Sequence, residues 1–144
     1  KDVFDITRDE WRDMVDTNIN GLFHATRAVL PYRREQESGH IINVSSISGK
    51  VPLPGGSAYA ATKYAVTGFS QSLFHEVRDH NIKVTTIFPG SVDSASHRHD
   101  PKADNSWQVS PEEVGQACAQ ALRSSDATCI PEIEIRPLHK PGKS

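Results

Sequence analysis

The chain has 144 residues and a mass of 15.9 kDa, enough for one compact domain and little more. Sixteen basic and eighteen acidic side chains leave a net charge of −2, which argues against a nucleic-acid or polybasic membrane surface. No apolar run approaches the ~20 residues that span a bilayer, and the polar opening KDVFDITRDE is unlike a signal peptide. The two cysteines, Cys118 and Cys129, make neither a disulfide framework nor a metal spacing, so a reducing, cytoplasmic setting is the expectation. The first residue is Lys rather than Met, which reads as a processed chain or one cut from something longer.

Thr7-Arg8-Asp9-Glu10 is a capping box, with a hydroxyl at N-cap and a carboxylate at N3. A helix follows, with Trp11, Val15, Asn18, Leu22, Ala25 and Val29 along one seam. It is expected to run to about Leu30-Pro31, or slightly past, and to end by Ser38-Gly39. Ile41 to Val44 is a short apolar run that reads as a strand buried on both faces, as in parallel sheets. Val51 to Gly56, with two prolines and two glycines, is a loop. Ser57 to about Arg78 is a long helix whose alanines and Gly68 leave its surface thin for close packing.

Ile82 to Phe88 is a second buried strand, stopped by Pro89-Gly90. Ser91 to Val109 has no period and reads as a long loop. Ser110-Pro111-Glu112-Glu113 is another capping box, opening a helix to about Arg123. Thr128 to Arg136 alternates apolar and charged residues between Pro131 and Pro137, the pattern of an edge strand. Residues 1–137 form one unit, and 138–144 are read as a tail. Helix and strand alternate throughout, which predicts an α/β fold with a doubly wound parallel sheet. Ligands in such folds sit at the carboxyl ends of the strands.

Tyr59 and Lys63 are four apart near the start of the long helix and share a face. A phenol titrates near ~10 in water. A fixed ammonium and the positive end of a helix dipole both favour the phenolate, so the pair can exchange a proton with a substrate oxygen near neutral pH. An accidental helical spacing of an aromatic and a lysine is the plain alternative. Ser46 ends a strand thirteen residues before Tyr59; it either reaches into the crevice or satisfies a turn. Asn18, a polar residue on an apolar seam, is otherwise a buried amide bonded to backbone. Pro89-Gly90-Ser91-Val92-Asp93-Ser94 is otherwise a simple strand-ending turn.

Thr17-Asn18-Ile19-Asn20-Gly21, Asn43-Val44-Ser45-Ser46, Tyr59-Ala60-Ala61-Thr62-Lys63 and Pro89-Gly90 occur in order. Their separations resemble those of the short-chain dehydrogenase/reductase family, from Trp11 to about Pro137. The resemblance implies a Rossmann-like fold and an oxidoreductase transferring hydride between NAD or NADP and a carbonyl or secondary alcohol. Tyr59 would be the general acid or base. Lys63 would lower its pKa and hold the nicotinamide ribose. Ser46 would polarise the substrate oxygen, and Asn18 would fix a water that relays protons to Lys63. Pro89, Gly90 and Val92 would border the nicotinamide. Ser94 stands where the family usually has Thr and keeps a hydroxyl for the carboxamide. Ser91 to Val109 would be the substrate lid, and a homodimer or homotetramer is the usual family assembly.

The sequence departs from the family in further respects. None of its nine glycines forms G-x-G-x-x-G, and the family's Asn-Asn-Ala-Gly stretch is absent. The chain therefore resembles the C-terminal, catalytic half, and most of the cofactor cradle is missing from it. This predicts an inactive isolated chain, or alternatively a silent half-domain acting by association or by sensing a dinucleotide. His97 and His99 lack partners for a zinc site. Trp107 either lines the substrate pocket or anchors the loop, and Cys118 reads as a small core residue.

Overall fold

The computed structural model describes residues 1–94 and 104–139. Helix α1 (Arg8–Val15) opens on the expected capping box: Glu10 N–H donates to Thr7 Oγ1 at 3.2 Å, and Thr7 N–H to Glu10 Oε2 at 2.9 Å. It passes through one π turn, Asp16–Asn20, into α2 (Gly21–Glu35). The inward row is Glu10, Met14, Asn18, Leu22, Thr26 and Leu30, one residue every four. The expected seam is thereby corrected, since Trp11, Ala25 and Val29 are exposed. A row of period four drifts around an ordinary helix, and the wider π turn offsets part of that drift. The helix runs through Pro31 and stops at Glu35, where the left-handed Glu37 (φ 48°) turns the chain out.

Strand β1 (Gly39–Val44) leads to a single 3-10 turn, Ile47–Gly49, and then to helix α3 (Ser57–Val77). Strand β2 (Ile82–Pro89), helix α4 (Pro111–Leu122) and strand β3 (Glu132–Ile135) complete the order. The three strands form one parallel sheet, β1-β2-β3. Central β2 is buried along almost its whole length. The second capping box is also formed, with Glu113 N–H on Ser110 Oγ at 3.2 Å.

Side-chain alternation assigns the two faces. Asn43 Nδ2 donates to Ser70 Oγ of α3 at 2.9 Å, so odd positions of β1 face α3. Leu73 and Val77 of α3 pack on Ile82 and Val84, with Leu30, Ile41, Phe69 and Phe74 around them. Lys83, one residue out of phase, instead caps the end of α4, with Nζ at 3.1 Å from Ser124 O and 2.6 Å from Ser125 O. Helices thus lie on both faces, and the sheet is doubly wound as the alternation predicts.

β1 is not buried on both faces as expected. It is an edge strand in the described residues, mostly half-buried, and Val44 is 49% exposed. α4 lies over β2, so the face carrying His40, Ile42 and Val44 is thinly covered. Among the described residues, no helix is long and apolar enough to cross a membrane.

Candidate active site

The carboxyl ends of β1 and β2 lie side by side, because Val44 pairs with Ile87 and Ser45 N–H reaches Ile87 O at 2.9 Å. After β1 the chain turns sharply. Ser46 is extended, and its Oγ accepts the Ser48 N–H at 3.1 Å. The turn-satisfying role foreseen for this hydroxyl is therefore real. It uses an oxygen lone pair and not the hydroxyl proton.

Gly49 lets this turn lie on α3. A Cβ there would meet Ser45 Oγ at 2.5 Å, Lys63 O at 2.7 Å and Thr67 Oγ1 at 2.8 Å. The backbone carbonyl cannot yield to such a contact. Buried Ser45 completes the join, donating to Lys63 O at 3.0 Å. Ser45 figures in the sequence only as part of the Asn43–Ser46 run, and Gly49 has no role there. The signal available for them was a glycine placed three residues after a strand-ending Ser-Ser pair.

Tyr59 and Lys63 stand on the first turns of α3, as the spacing predicts. Left-handed Gly55 (φ 67°) and Gly56 lead into the helix, where Ala60 N–H bonds Gly56 O at 2.9 Å. Lys63 folds back across the site. Its Nζ donates to Val44 O at 3.2 Å and lies 5.7 Å from the Tyr59 ring centre. Burial pushes the Lys63 ammonium below its ordinary pKa.

Asn18 projects from the π turn, and its Nδ2 donates to Thr62 Oγ1 at 3.1 Å. Thr62 in turn donates to Tyr59 O at 2.8 Å. Asn18 is thus tied to the Tyr59 turn through a side chain, whereas the reading of its sequence position allowed a backbone partner. Asn18, Thr62, Tyr59, Lys63 and Val44–Ser46 form one connected group. A hollow of about 730 Å³, lined by Met14, Thr17, Asn18, Gly56 and Ala58, reaches Tyr59. A larger one of about 1020 Å³ lies between α2 and α3 against Leu30, Phe69 and Leu73, away from this chemistry.

Pro89 ends β2, and Gly90 N–H bonds Ile135 O of β3 at 2.7 Å. A Cβ on Gly90 would stand 3.0 Å from Pro137 Cδ, so the backbones approach closely here. Val92 pairs with Val109 in an isolated parallel bridge, which closes the base of the expected lid. Ser94 is half-buried beyond that bridge. Residues 95–103 of the lid, including His97, Arg98, His99 and Asp100, lie outside the described residues. Among the described residues, no three His, Cys, Asp or Glu side chains could hold a metal ion.

The family described as short chain dehydrogenase matches residues 1–105. The chain belongs to that family. An uncharacterized oxidoreductase of Staphylococcus saprophyticus is 35% identical over 140 residues, covering 90% of this chain and 57% of the relative. One from Staphylococcus aureus is 37% identical over 136 residues, covering 94% of this chain and 58% of the relative. The chain thus spans somewhat over half the length of these curated relatives. Among solved structures, Escherichia coli serine dehydrogenase is 33% identical with a TM-score of 0.83, over 96% of this chain and 58% of that one. A closed serine dehydrogenase complexed with NADP+ is 32% identical with a TM-score of 0.88, over 100% of this chain and 62% of that one.

Proposed function

We propose that this chain supplies the proton-transfer half of an NAD- or NADP-dependent oxidoreductase that interconverts a small carbonyl compound and a secondary alcohol. The observation that carries the reading is the placement of Lys63: its ammonium bridges the end of β1 to the Tyr59 ring. The NADP-bound structural neighbour supports the cofactor class.

The residues present fit the nicotinamide end of such a cofactor. A half-buried ammonium is lodged at a strand end, and Gly90, with no side chain, lets the backbone after β2 pack tightly against Pro137. The 144 residues hold no glycine-rich turn for the pyrophosphate. When bound, the cofactor supplies or accepts the hydride.

Tyr59 donates its phenolic proton to the carbonyl oxygen in reduction and takes it back in oxidation. Lys63 holds positive charge beside the ring and stabilises the phenolate that results. It also offers a donor to the ribose. Ser46 already accepts the Ser48 N–H, and its own proton serves the same substrate oxygen. Asn18 holds the first turns of α3 through Thr62 and places a water on the path to Lys63. Pro89, Gly90, Val92 and Ser94 border the nicotinamide.

Exposed Phe23 and Tyr32 on α2 and Tyr64 on α3 favour a second, compatible role in association, as homodimer or homotetramer.

Tyr59→Phe tests the assignment in the protein that carries this chain. Turnover in NADH- or NADPH-linked carbonyl reduction is expected to fall by ~10²–10⁴, with cofactor affinity nearly unchanged. Retention of more than half the wild-type rate contradicts the reading.

A further inference from the structure

A charged cluster outside the Tyr59 group joins four elements of the fold. Lys50 follows the 3-10 turn that carries Ser46 and Gly49. Its Nζ lies 2.6 Å from Glu132 Oε2 and 3.6 Å from Glu134 Oε2, both on β3. On the way it crosses the ring of fully buried Phe88, 4.3 Å from the ring centre. Gln71 of α3 donates to Glu132 Oε1 at 2.9 Å, and Arg136 pairs with Glu134.

Glu132 and Glu134 are two apart on one strand, so both carboxylates project from the same face. Phe88, paired with Glu134, shares that face. Two like charges there repel, and the ammonium between them relieves the repulsion. The pairing with Glu132 holds Lys50 above its ordinary pKa, and the same contact holds Glu132 below its own. Both groups stay charged across the neutral range. An isolated surface pair contributes little. This one is less than a third exposed on either side chain and has an amide and an aromatic face as further partners.

The cluster's position gives it a consequence for the site. One end is the turn bearing Ser46. The middle is Phe88, next to Pro89-Gly90. The far end is β3, whose Ile135 carbonyl holds the Gly90 N–H. The geometry points to Lys50 as a positioning residue that clamps the Ser46 turn and the Pro89–Gly90 backbone to β3 through Glu132. The inference rests on the reading of Ser46 as a reacting group. A displacement of about 1 Å in a reacting group can cost ~10² in rate, so a clamp of this kind acts on kcat rather than on binding.

The test compares Lys50→Met, Lys50→Arg and Glu132→Gln in the protein carrying this chain. Lys50→Met is expected to lower kcat by about tenfold to a hundredfold. KM for the carbonyl should stay within about twofold, because the residue does not touch substrate. Lys50→Arg keeps the charge and should restore most of the lost rate, and Glu132→Gln should reproduce the loss. Amide hydrogen exchange is measured alongside, since it needs no turnover. Exchange at Gly49 and Gly90 should quicken by about tenfold in Lys50→Met. Unchanged exchange at both glycines overturns the clamp, whatever the reaction proves to be. Unchanged kcat with a lowered Tm also overturns it, because the cluster would then only stabilise the fold. Failure of Tyr59→Phe to lose activity would instead remove the reaction reading and leave the exchange result standing.

Discussion

The site depends on one lysine whose environment works in two directions. Burial alone pushes the Lys63 ammonium below its ordinary pKa, while the Val44 carbonyl offers a partner for its charged form. The residue therefore gives up its charge sooner than an exposed lysine as pH rises. On the proposed reading, the phenolate of Tyr59 is the working form in alcohol oxidation. Lys63→Met removes the cation that favours it, so the rising limb of the oxidation pH–rate profile is expected to move to higher pH. Cofactor affinity should fall in the same variant, because the ribose loses a donor. Profiles that superimpose would make the Tyr59–Lys63 spacing an accident of the helix. Both residues were legible in the sequence, because a spacing of four on a helix fixes a shared face without further knowledge. Ser46 and Asn18 were legible only through ordered separations. The closeness of Gly49 to Lys63 O was not legible at all, since it depends on how α3 lies across the strand end.

At the level of elements, both capping boxes and all three strands follow local rules, and the structure matches them. The rules fail where packing decides. The seam on α1–α2 follows a row of period four through a π turn, and apolar spacing alone gave Trp11 and Val29 the wrong side. The Lys50–Glu132 contact joins residues 82 apart in the chain, beyond the reach of any local pattern. The edge β1–β2 has a titratable fastening of its own. His40 Nε2 lies 2.7 Å from Thr85 Oγ1, and Thr85 donates to Ile130 O at 2.6 Å. Burial, and then the charge of Lys83, lowers the His40 pKa below its ordinary 6.5. The fold thus prefers the neutral ring. Its contribution is complete above about pH 6.5 and is lost as pH falls from there towards the folded-state value. The Tm advantage of wild type over His40→Gln is therefore expected to shrink on acidification from pH 7 to about 5. An advantage that holds or grows over that window would contradict the burial assigned to the ring.

Across the whole molecule, the reacting groups and the cofactor grip are unevenly provided. Asn18, Thr62 and Tyr59 are tied together by hydrogen bonds, and Lys63 is tied to Val44 and Ser45, the two residues that precede Ser46. The glycine-rich pyrophosphate turn is not among its 144 residues, and the chain covers 57% of the Staphylococcus saprophyticus relative. β1 presents an unpaired edge among the described residues, with Val44 half-exposed, a surface suited to receive a further strand. On the proposed reading, the proton-transfer groups lie within these 144 residues and the pyrophosphate turn does not. The direct measurement is a nicotinamide fluorescence titration with NADH and NADPH, run on the 144-residue chain and on a fusion of it to a glycine-rich dinucleotide-binding segment. The account expects no specific, saturable binding at micromolar concentration by the chain alone, and binding with carbonyl reduction by the fusion. A soluble, monomeric 144-residue chain that binds either cofactor and reduces carbonyls would contradict it.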